Sequence, residues 1–154
     1  MPSWICKPLV ELSALTLYDI MHLRCDVFVV QQNVAYLDPD NVDKLPSCHH
    51  LIALNDDGSV MAYARLLGPG TKGEKQERPM VGRVVTAPSH RGKGLGKELM
   101  LQAIAACGRL WPDASVEISA QVYLEGFYKA LGFETTSAPY EEYGRDHLDM
   151  VYRR

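Results

Sequence analysis

A basic turn interrupted by glycines is the segment of this chain whose residues best suit binding chemistry. It reads Arg91-Gly92-Lys93-Gly94-Leu95-Gly96-Lys97, after a β-branched run and Pro88. Apolar residues at helical spacing follow it, so the turn would form a helix N-terminus, where unpaired backbone N–H groups and the helix dipole favour anions. Glycines keep those amides open to a bulky anion. The turn therefore predicts a site for a phosphorylated ligand.

Two nucleotide-binding fingerprints do not fit this turn. A P-loop needs Gly-x4-Gly-Lys-Ser/Thr, but Gly96 follows Gly92 one residue too early and Glu98 replaces the metal-binding hydroxyl. A dinucleotide-binding turn needs Gly-x-Gly-x-x-Gly within a βαβ unit. Here the third glycine comes one residue early and no repeated βαβ pattern surrounds it. Both fingerprints are excluded.

The turn and a later segment together resemble a known family. Arg91-x-x-Gly94-x-Gly96 is similar to the acyl-CoA pyrophosphate loop of the GNAT N-acetyltransferase superfamily. Phe127-Tyr128-Lys129-Ala130-Leu131-Gly132-Phe133 is similar to the Tyr-x-x-Leu-Gly-Phe segment of that family. Three further segments resemble its ElaA-like subgroup: 23–32, 62–65 and 140–144 with His147. The resemblance therefore covers nearly the whole chain.

The resemblance implies one α/β (α+β) GNAT domain over residues 1–154. Its central sheet would be mixed and mostly antiparallel, with about six to seven strands, flanking helices and a splayed parallel strand pair. The implied enzyme is an acyltransferase that moves an acetyl group from acetyl-CoA to a small-molecule amine or peptide acceptor by direct attack in a ternary complex. Open alternatives are an acyl-CoA-binding regulatory module without turnover and an N-acyl-lactone synthase-like enzyme.

The resemblance also assigns residues to the CoA site. Tyr128 would be the general acid for the departing thiolate, since a phenol stays protonated at neutral pH. Gln121 stands where many family members carry an asparagine, and its amide retains the capacity to contact pantetheine. The other implied cofactor-binding residues are Val84, Val85 and Thr86 on the strand, and Arg91, Gly92, Lys93, Gly94, Leu95, Gly96 and Lys97 in the turn.

The residues that remove the amine proton and hold the acceptor are not singled out by spacing. Side chains able to take the proton, directly or through water, are Glu117, Ser119, His49, His50 and His147. An acceptor pocket would be formed by Arg24, Tyr36, Arg65 and Arg83. Arginines within β-runs need a partner. An acidic group on the substrate or an internal carboxylate such as Glu142 would supply one.

Two segments have the residue types of a metal site without its spacing. Residues 38–43 contain three aspartates but lack the Gly at position six and the Glu at position twelve of a calcium loop. They are predicted to form an ordinary acidic loop. Cys48-His49-His50 has no second ligand pair at zinc spacing. No metal is therefore expected.

The elements that must position these residues follow from periodicity and turn signals. Helices are predicted from Ser13 to about 28, from 93 to 108 and from 124 to 131, and residues 36–47 are predicted to be a loop. Strands are predicted over 4–7, 50–54, 60–67, 81–86, 116–120, 133–136 and 147–152, with a hairpin turn at 55–58.

Composition limits the class of partner. The net charge is −3, but residues 72–97 hold seven basic and two acidic residues, which suits a small polyanion better than nucleic acid. No apolar run is long enough to span a membrane. The four cysteines are scattered and predict reduced thiols in the cytoplasm. A homodimer is compatible with the resemblance.

Overall fold

The computed structural model describes residues 2–154 and consists of a single sheet with helices on both faces. The strands are β1 (Ser3–Pro8), β2 (Cys48–Leu54), β3 (Val60–Leu67), β4 (Met80–Thr86), β5 (Val116–Gln121), β6 (Phe133–Thr135), β7 (Tyr140–Glu142) and β8 (Arg145–Tyr152). The α-helices are α1 (Ala14–Arg24), α2 (Leu95–Leu110) and α3 (Glu125–Ala130). Across residues 2–154, every helix is too short or too polar to cross a bilayer.

The strand order confirms a mixed, mostly antiparallel sheet. It runs β1-β2-β3-β4-β5-β8-β6, with β7 paired to β8. Only β4 and β5 are parallel among the described strands, and a single residue pair, Met80 with Glu117, joins them. Beyond that pair the two strands diverge. The predicted splayed parallel pair is therefore present.

Alternation of side chains along the strands divides the core between the two faces of the sheet. Leu51 and Ala53 of β2 pack in the cluster that contains Leu99 and Met100 of α2. Ile52, between them, packs in the cluster formed with Ile20 and other residues of α1. The period of two in β2 and the helical spacing in α1 and α2 thus explain why the sheet is covered on both sides.

The helix that begins after Ser13 continues further than predicted. The Ser13 side chain accepts a hydrogen bond from the Thr16 amide at 3.1 Å, which caps the helix as expected. After Arg24 the helix does not end but continues as a π-helical segment over Cys25–Gln31. This segment ends three residues after the predicted boundary. Wide helical turns of this kind concentrate at functional sites.

The sheet has eight strands rather than six to seven, because β7 and β8 form a hairpin that was not predicted. Its two turn residues, Tyr143 and Gly144, have φ values of 52° and 75°. Two consecutive positive φ values are characteristic of a type I′ hairpin turn, which usually carries Asn-Gly or Asp-Gly. Tyrosine at the first position hides this signal. Residues 36–47 are without helix or strand, as predicted.

Candidate active-site cleft

A cleft with a volume of about 240 Å³ lies where β4 and β5 diverge. Its walls come from these two strands, from the end of the π-helical segment and from the β7–β8 hairpin. Eight of the sequence-predicted site residues line it: Tyr36, Arg65, Arg83, Val84, Ser119, Gln121, Tyr128 and His147. The two diverging strands and their neighbours thus bring together eight predicted side chains that are far apart in sequence.

A β-bulge in β4 turns this strand away from β5. Tyr63 and Arg65 of β3 pair with Val85 and Gly82, so Arg83 and Val84 oppose a single residue. Arg83 has a φ of 52°, a strained value for a side chain of this size. Its guanidinium is anchored by Asp38 at 2.9 Å and by Asp40 at 3.4 Å. These ion pairs help hold the bulge that opens the cleft.

The glycine turn forms the start of α2 in an open conformation. Gly92 and Gly94 have φ values of 77° and 76°, and a Cβ at either position would meet nothing within 4 Å. Gly96 has an ordinary φ, and a Cβ there would lie 3.8 Å from Thr86 Oγ1 at the end of β4. Since Val84 lines the cleft two residues earlier on the same strand, the turn lies next to one end of the cleft.

Tyr128 is both a core residue and part of the cleft lining. Its ring packs edge-to-face on Phe127 and Phe133, with centroids 5.1 and 5.8 Å away. It is 7% exposed. Burial raises the pKa of Tyr128 to about 12. The phenol therefore carries its proton throughout the neutral range.

The three arginines predicted for the acceptor pocket pair with internal carboxylates. Arg24 contacts Asp38 at 2.7 Å and Asp43 at 2.6 Å. Arg65 contacts Asp40 at 2.8 Å and Asp43 at 3.2 Å. With the Arg83 pairs, these contacts define a charge cluster of three arginines and three aspartates. Its carboxylates come from residues 38–43 rather than from Glu142.

The charge cluster corrects two expectations from the sequence. Arg24 is fully buried and lies outside the cleft lining, so it does not form a wall of the acceptor pocket. The acidic loop is not an ordinary solvated loop, because Asp38 is 1% and Asp43 5% exposed. Burial opposes ionisation of Asp40, but the hydrogen bonds and charge of Arg65 outweigh it and lower its pKa to about 2. The signal available in the sequence was that residues 38–43 contain three aspartates, one for each arginine predicted for the acceptor pocket.

Several other predicted residues lie outside the cleft lining. The Val85 side chain is buried with the α1 cluster, and the Glu117 amide donates to the Pro79 carbonyl at 2.9 Å at the one β4–β5 pair. His49 packs edge-on against Trp111. His50 is buried, and its Nε2–H donates to the Asp43 carbonyl at 2.9 Å. Because burial lowers the pKa of His50, this side chain is neutral and structural.

The Cys48-His49-His50 segment contributes to a trio of possible metal ligands. Atoms of Asp43, Cys48 and His50 lie within 4.8 Å of one another. The Asp43 carboxylate already accepts hydrogen bonds from Arg24 and Arg65, whose charges disfavour a cation. Burial raises the pKa of Cys48 to about 12, so its thiol is not a thiolate ligand at neutral pH. We interpret the trio as part of the hydrogen-bond network around the charge cluster.

A hydrogen-bond chain that sequence reasoning did not identify begins in the cleft. Ser119 Oγ lies 2.5 Å from Tyr140 Oη, which donates to Asp149 Oδ1 at 2.7 Å. His147 stacks on Tyr140 at 6.2 Å, and its Nδ1 donates to the Arg145 carbonyl at 2.9 Å. The available signal was the similarity of residues 140–144 to the ElaA-like subgroup. It marked the hairpin without indicating what Tyr140 contacts.

Comparison with known proteins supports the fold described above. The family model for the acetyltransferase (GNAT) domain matches residues 40–154. The chain belongs to the GNAT acetyltransferase family. This GNAT chain is 38% identical to the ElaA protein of Escherichia coli over 142 residues, which cover 92% of this chain and 90% of that protein. A UPF0039 protein of Synechocystis is 34% identical over 151 residues, or 98% and 95% of the two chains.

Solved structures place the GNAT chain in the same group. The crystal structure of Escherichia coli ElaA superposes with a TM-score of 0.91 at 35% identity, covering 99% of this chain and 100% of the other. An acyl-CoA N-acyltransferase from Pseudomonas aeruginosa gives a TM-score of 0.90 at 38% identity, covering 98% and 99%. The predicted fold and ElaA-like subgroup are confirmed. Membership in this acyltransferase family implies a CoA-linked acyl donor.

Proposed function

We propose that this GNAT protein transfers an acetyl group from acetyl-CoA to the amine of a small molecule or peptide, by direct attack within a ternary complex. The observation that carries the proposal is the opening between β4 and β5. It has the glycine turn next to one end, and Tyr128 lines its wall. A phosphate-binding turn and a proton-bearing phenol on one cleft suit a thioester held between them. The four free cysteines suit a reducing cytoplasm.

The donor would lie along the open edge of β4. Backbone groups of Val84, Val85 and Thr86 would bind pantetheine as an added strand does, which is compatible with the Val85 side chain pointing into the core. The amides of the turn from Arg91 to Lys97 would hold the pyrophosphate. Gln121, at the end of β5, would offer its amide from the opposite wall.

Tyr128 would stabilise the leaving sulfur. The thiol of a cysteine has a pKa of about 8.5, whereas burial raises the pKa of Tyr128 to about 12. A gap of roughly three units makes complete proton transfer from the phenol unfavourable by about 4 to 5 kcal/mol. Tyr128 would therefore donate a hydrogen bond to the developing thiolate, and solvent would supply the proton of the released thiol.

The acceptor would enter from the side of Tyr36, Arg65 and Arg83. Because Arg65 and Arg83 are already paired with aspartates, they shape this wall more than they attract an anion. Tyr36 donates to Asp38 at 2.5 Å and lies beneath the Arg83 guanidinium, 5.7 Å from the ring centroid. A rigid, neutral wall of this kind suits selection of an amine by shape.

The test is acetyl-CoA turnover across a panel of amines, polyamines, amino acids and peptides, measured as released thiol. CoA and acetyl-CoA should also raise the melting temperature. Saturating CoA without any stabilisation would contradict the site. Binding without turnover on the whole panel would favour the regulatory module, and preference for long acyl-CoAs over acetyl-CoA would favour lactone-synthase-like chemistry.

A further inference from the structure

We propose that Ser119, Tyr140 and Asp149 relay the proton that the acceptor amine loses during acetyl transfer. The inference deepens the proposed function and rests on it. It supplies a proton acceptor, the role for which no predicted residue was singled out by spacing. Ser119 is the catalytic residue of the three because it lines the cleft, and Tyr140 and Asp149 act through it.

The carboxylate of Asp149 fixes which group donates each hydrogen bond of the relay. A carboxylate only accepts hydrogen bonds, so the Tyr140 hydroxyl donates to Asp149 Oδ1 at 2.7 Å. The Ser119 hydroxyl must then donate to Tyr140 Oη, 2.5 Å away. This leaves the lone pairs of Ser119 Oγ free to accept an N–H. Ser119 is exposed, and its strand forms one wall of the opening, so its hydroxyl is accessible to an amine in the cleft.

Strand pairing holds the two ends of the relay in place. Ser119 of β5 lies opposite Asp149 of β8 in the antiparallel register, so their side chains share a face of the sheet. Tyr140 of β7 lies opposite His147 of β8 and stacks on its ring. The Asp149 amide donates to Ser137 Oγ at 2.9 Å, which fixes the backbone at the acceptor end.

Tyr140 is suited to pass a proton rather than to keep a charge. Burial and the hydrogen bond to Asp149 raise the pKa of Tyr140 to about 12, so its phenol stays protonated at neutral pH. It gives one proton to Asp149 only as it receives another from Ser119. Glu142 on the same hairpin adds negative charge near the phenol, and this further disfavours a phenolate.

The step balances in atoms and charge. The amine nitrogen forms a bond to the thioester carbonyl carbon, and the C–S bond breaks with its electron pair remaining on sulfur. The amine proton passes to Ser119 Oγ, the serine proton to Tyr140 Oη, and the tyrosine proton to the Asp149 carboxylate. Asp149 then releases its proton to solvent, which protonates the departing CoA thiolate.

The test compares Ser119→Ala, Tyr140→Phe and Asp149→Asn with the wild type in acetyl-CoA turnover with the best amine of the panel. Each should lower kcat by about 100-fold and leave the KM for acetyl-CoA unchanged. The double variant Tyr140→Phe with Asp149→Asn should be no slower than either single variant. Without the relay, hydroxide must take the proton, so the ratio of wild-type to variant kcat should fall about tenfold for each pH unit above 7.

The pH readout separates a relay from a structural role. The titratable and charged groups around Ser119 and Tyr140 are His147, which stacks on Tyr140, and Glu142 and Arg145, which line the cleft with Ser119. All of them remain in the three variants. Matched controls are Asp146→Asn on β8 and Tyr18→Phe on α1, two exposed positions outside the cleft lining that should retain wild-type kcat. A wild-type kcat in the relay variants, or a deficit that does not change with pH, would overturn the relay. A wild type that acetylates no amine refutes the proposed function and the relay with it.

Discussion

Replacing Asp38 with asparagine tests whether the charge cluster is essential for stability. The Asp38 side chain is fully buried. Its carboxylate accepts hydrogen bonds from Arg24 at 2.7 Å and Tyr36 at 2.5 Å, and it forms an ion pair with Arg83 at 2.9 Å. Asparagine has nearly the same shape, so the change removes charge without opening a cavity. It leaves three buried or half-buried arginines with two aspartates.

The size of the effect follows from this imbalance. Breaking a buried ion pair by removing one partner costs about 3 to 5 kcal/mol, and Arg24 keeps Asp43 at 2.6 Å, so we expect the lower end, about 3 kcal/mol. A chain of 154 residues has an unfolding entropy of roughly 0.3 kcal/mol/K, so the melting temperature should fall by about 10 °C.

Thermal unfolding followed by circular dichroism, supported by urea titration, measures this fall. The matched control is Glu134→Gln, which removes one carboxylate from the exposed pair with Arg153, whose side chains are 65% and 55% exposed. Such surface pairs contribute about 0 to 1 kcal/mol, so the control should shift by at most about 3 °C. If Asp38→Asn shifts no more than the control, the cluster does not stabilise the fold as argued.

Three further predictions concern the CoA site and acid stability. Gly96→Leu should abolish stabilisation by CoA without lowering the melting temperature of the free protein. Gly94→Ala should instead destabilise the free protein by about 1 kcal/mol, because the φ of this residue is 76°. Equal melting temperatures of the two variants without ligand would contradict this contrast. The stabilisation by Asp40 and Asp43 should be fully present above about pH 4 and be lost towards pH 2, since the pKa values of both groups are lowered in the folded state. After allowing for solvent screening, Asp40 contributes about 1 kcal/mol. Asp40→Asn should therefore make the pH dependence of the melting temperature shallower. Tyr128→Phe should reduce kcat by about 100-fold and leave the melting temperature within about 2 °C, because the aromatic contacts of the ring are retained; unchanged turnover would remove Tyr128 from the chemistry.

Most of the fold could be predicted because its signals are local. The Ser13 cap, the period of two in the strands and the glycine turn before α2 each act within a few residues. The π-helical segment after Arg24 could not, since its wider hydrogen bonding has no distinct sequence pattern. Strand β7 was missed because Tyr143 adopts a positive φ that its residue type does not favour.

The candidate site divides in the same way. The glycine turn predicted to bind the cofactor is contiguous in sequence, whereas the charge cluster and the proposed relay are formed by contacts between distant residues. Asp38 lies 45 residues from Arg83, and Ser119 lies 21 residues from Tyr140. Such contacts depend on strand register and loop path, which composition does not specify. Charge counting indicates that the arginines need partners, but only the fold shows which aspartates supply them.

The charge cluster gives the two walls of the cleft different freedom to evolve. Changing Arg65 or Arg83 to suit a new acceptor would also leave the three aspartates of the cluster with only two arginines, so selection for a new substrate would first meet a loss of stability. The β7–β8 hairpin carries no such constraint at its tip, where Tyr143 is 63% exposed. Acceptor range across relatives of this chain should therefore diverge through the hairpin, while the arginine wall changes only together with its aspartates.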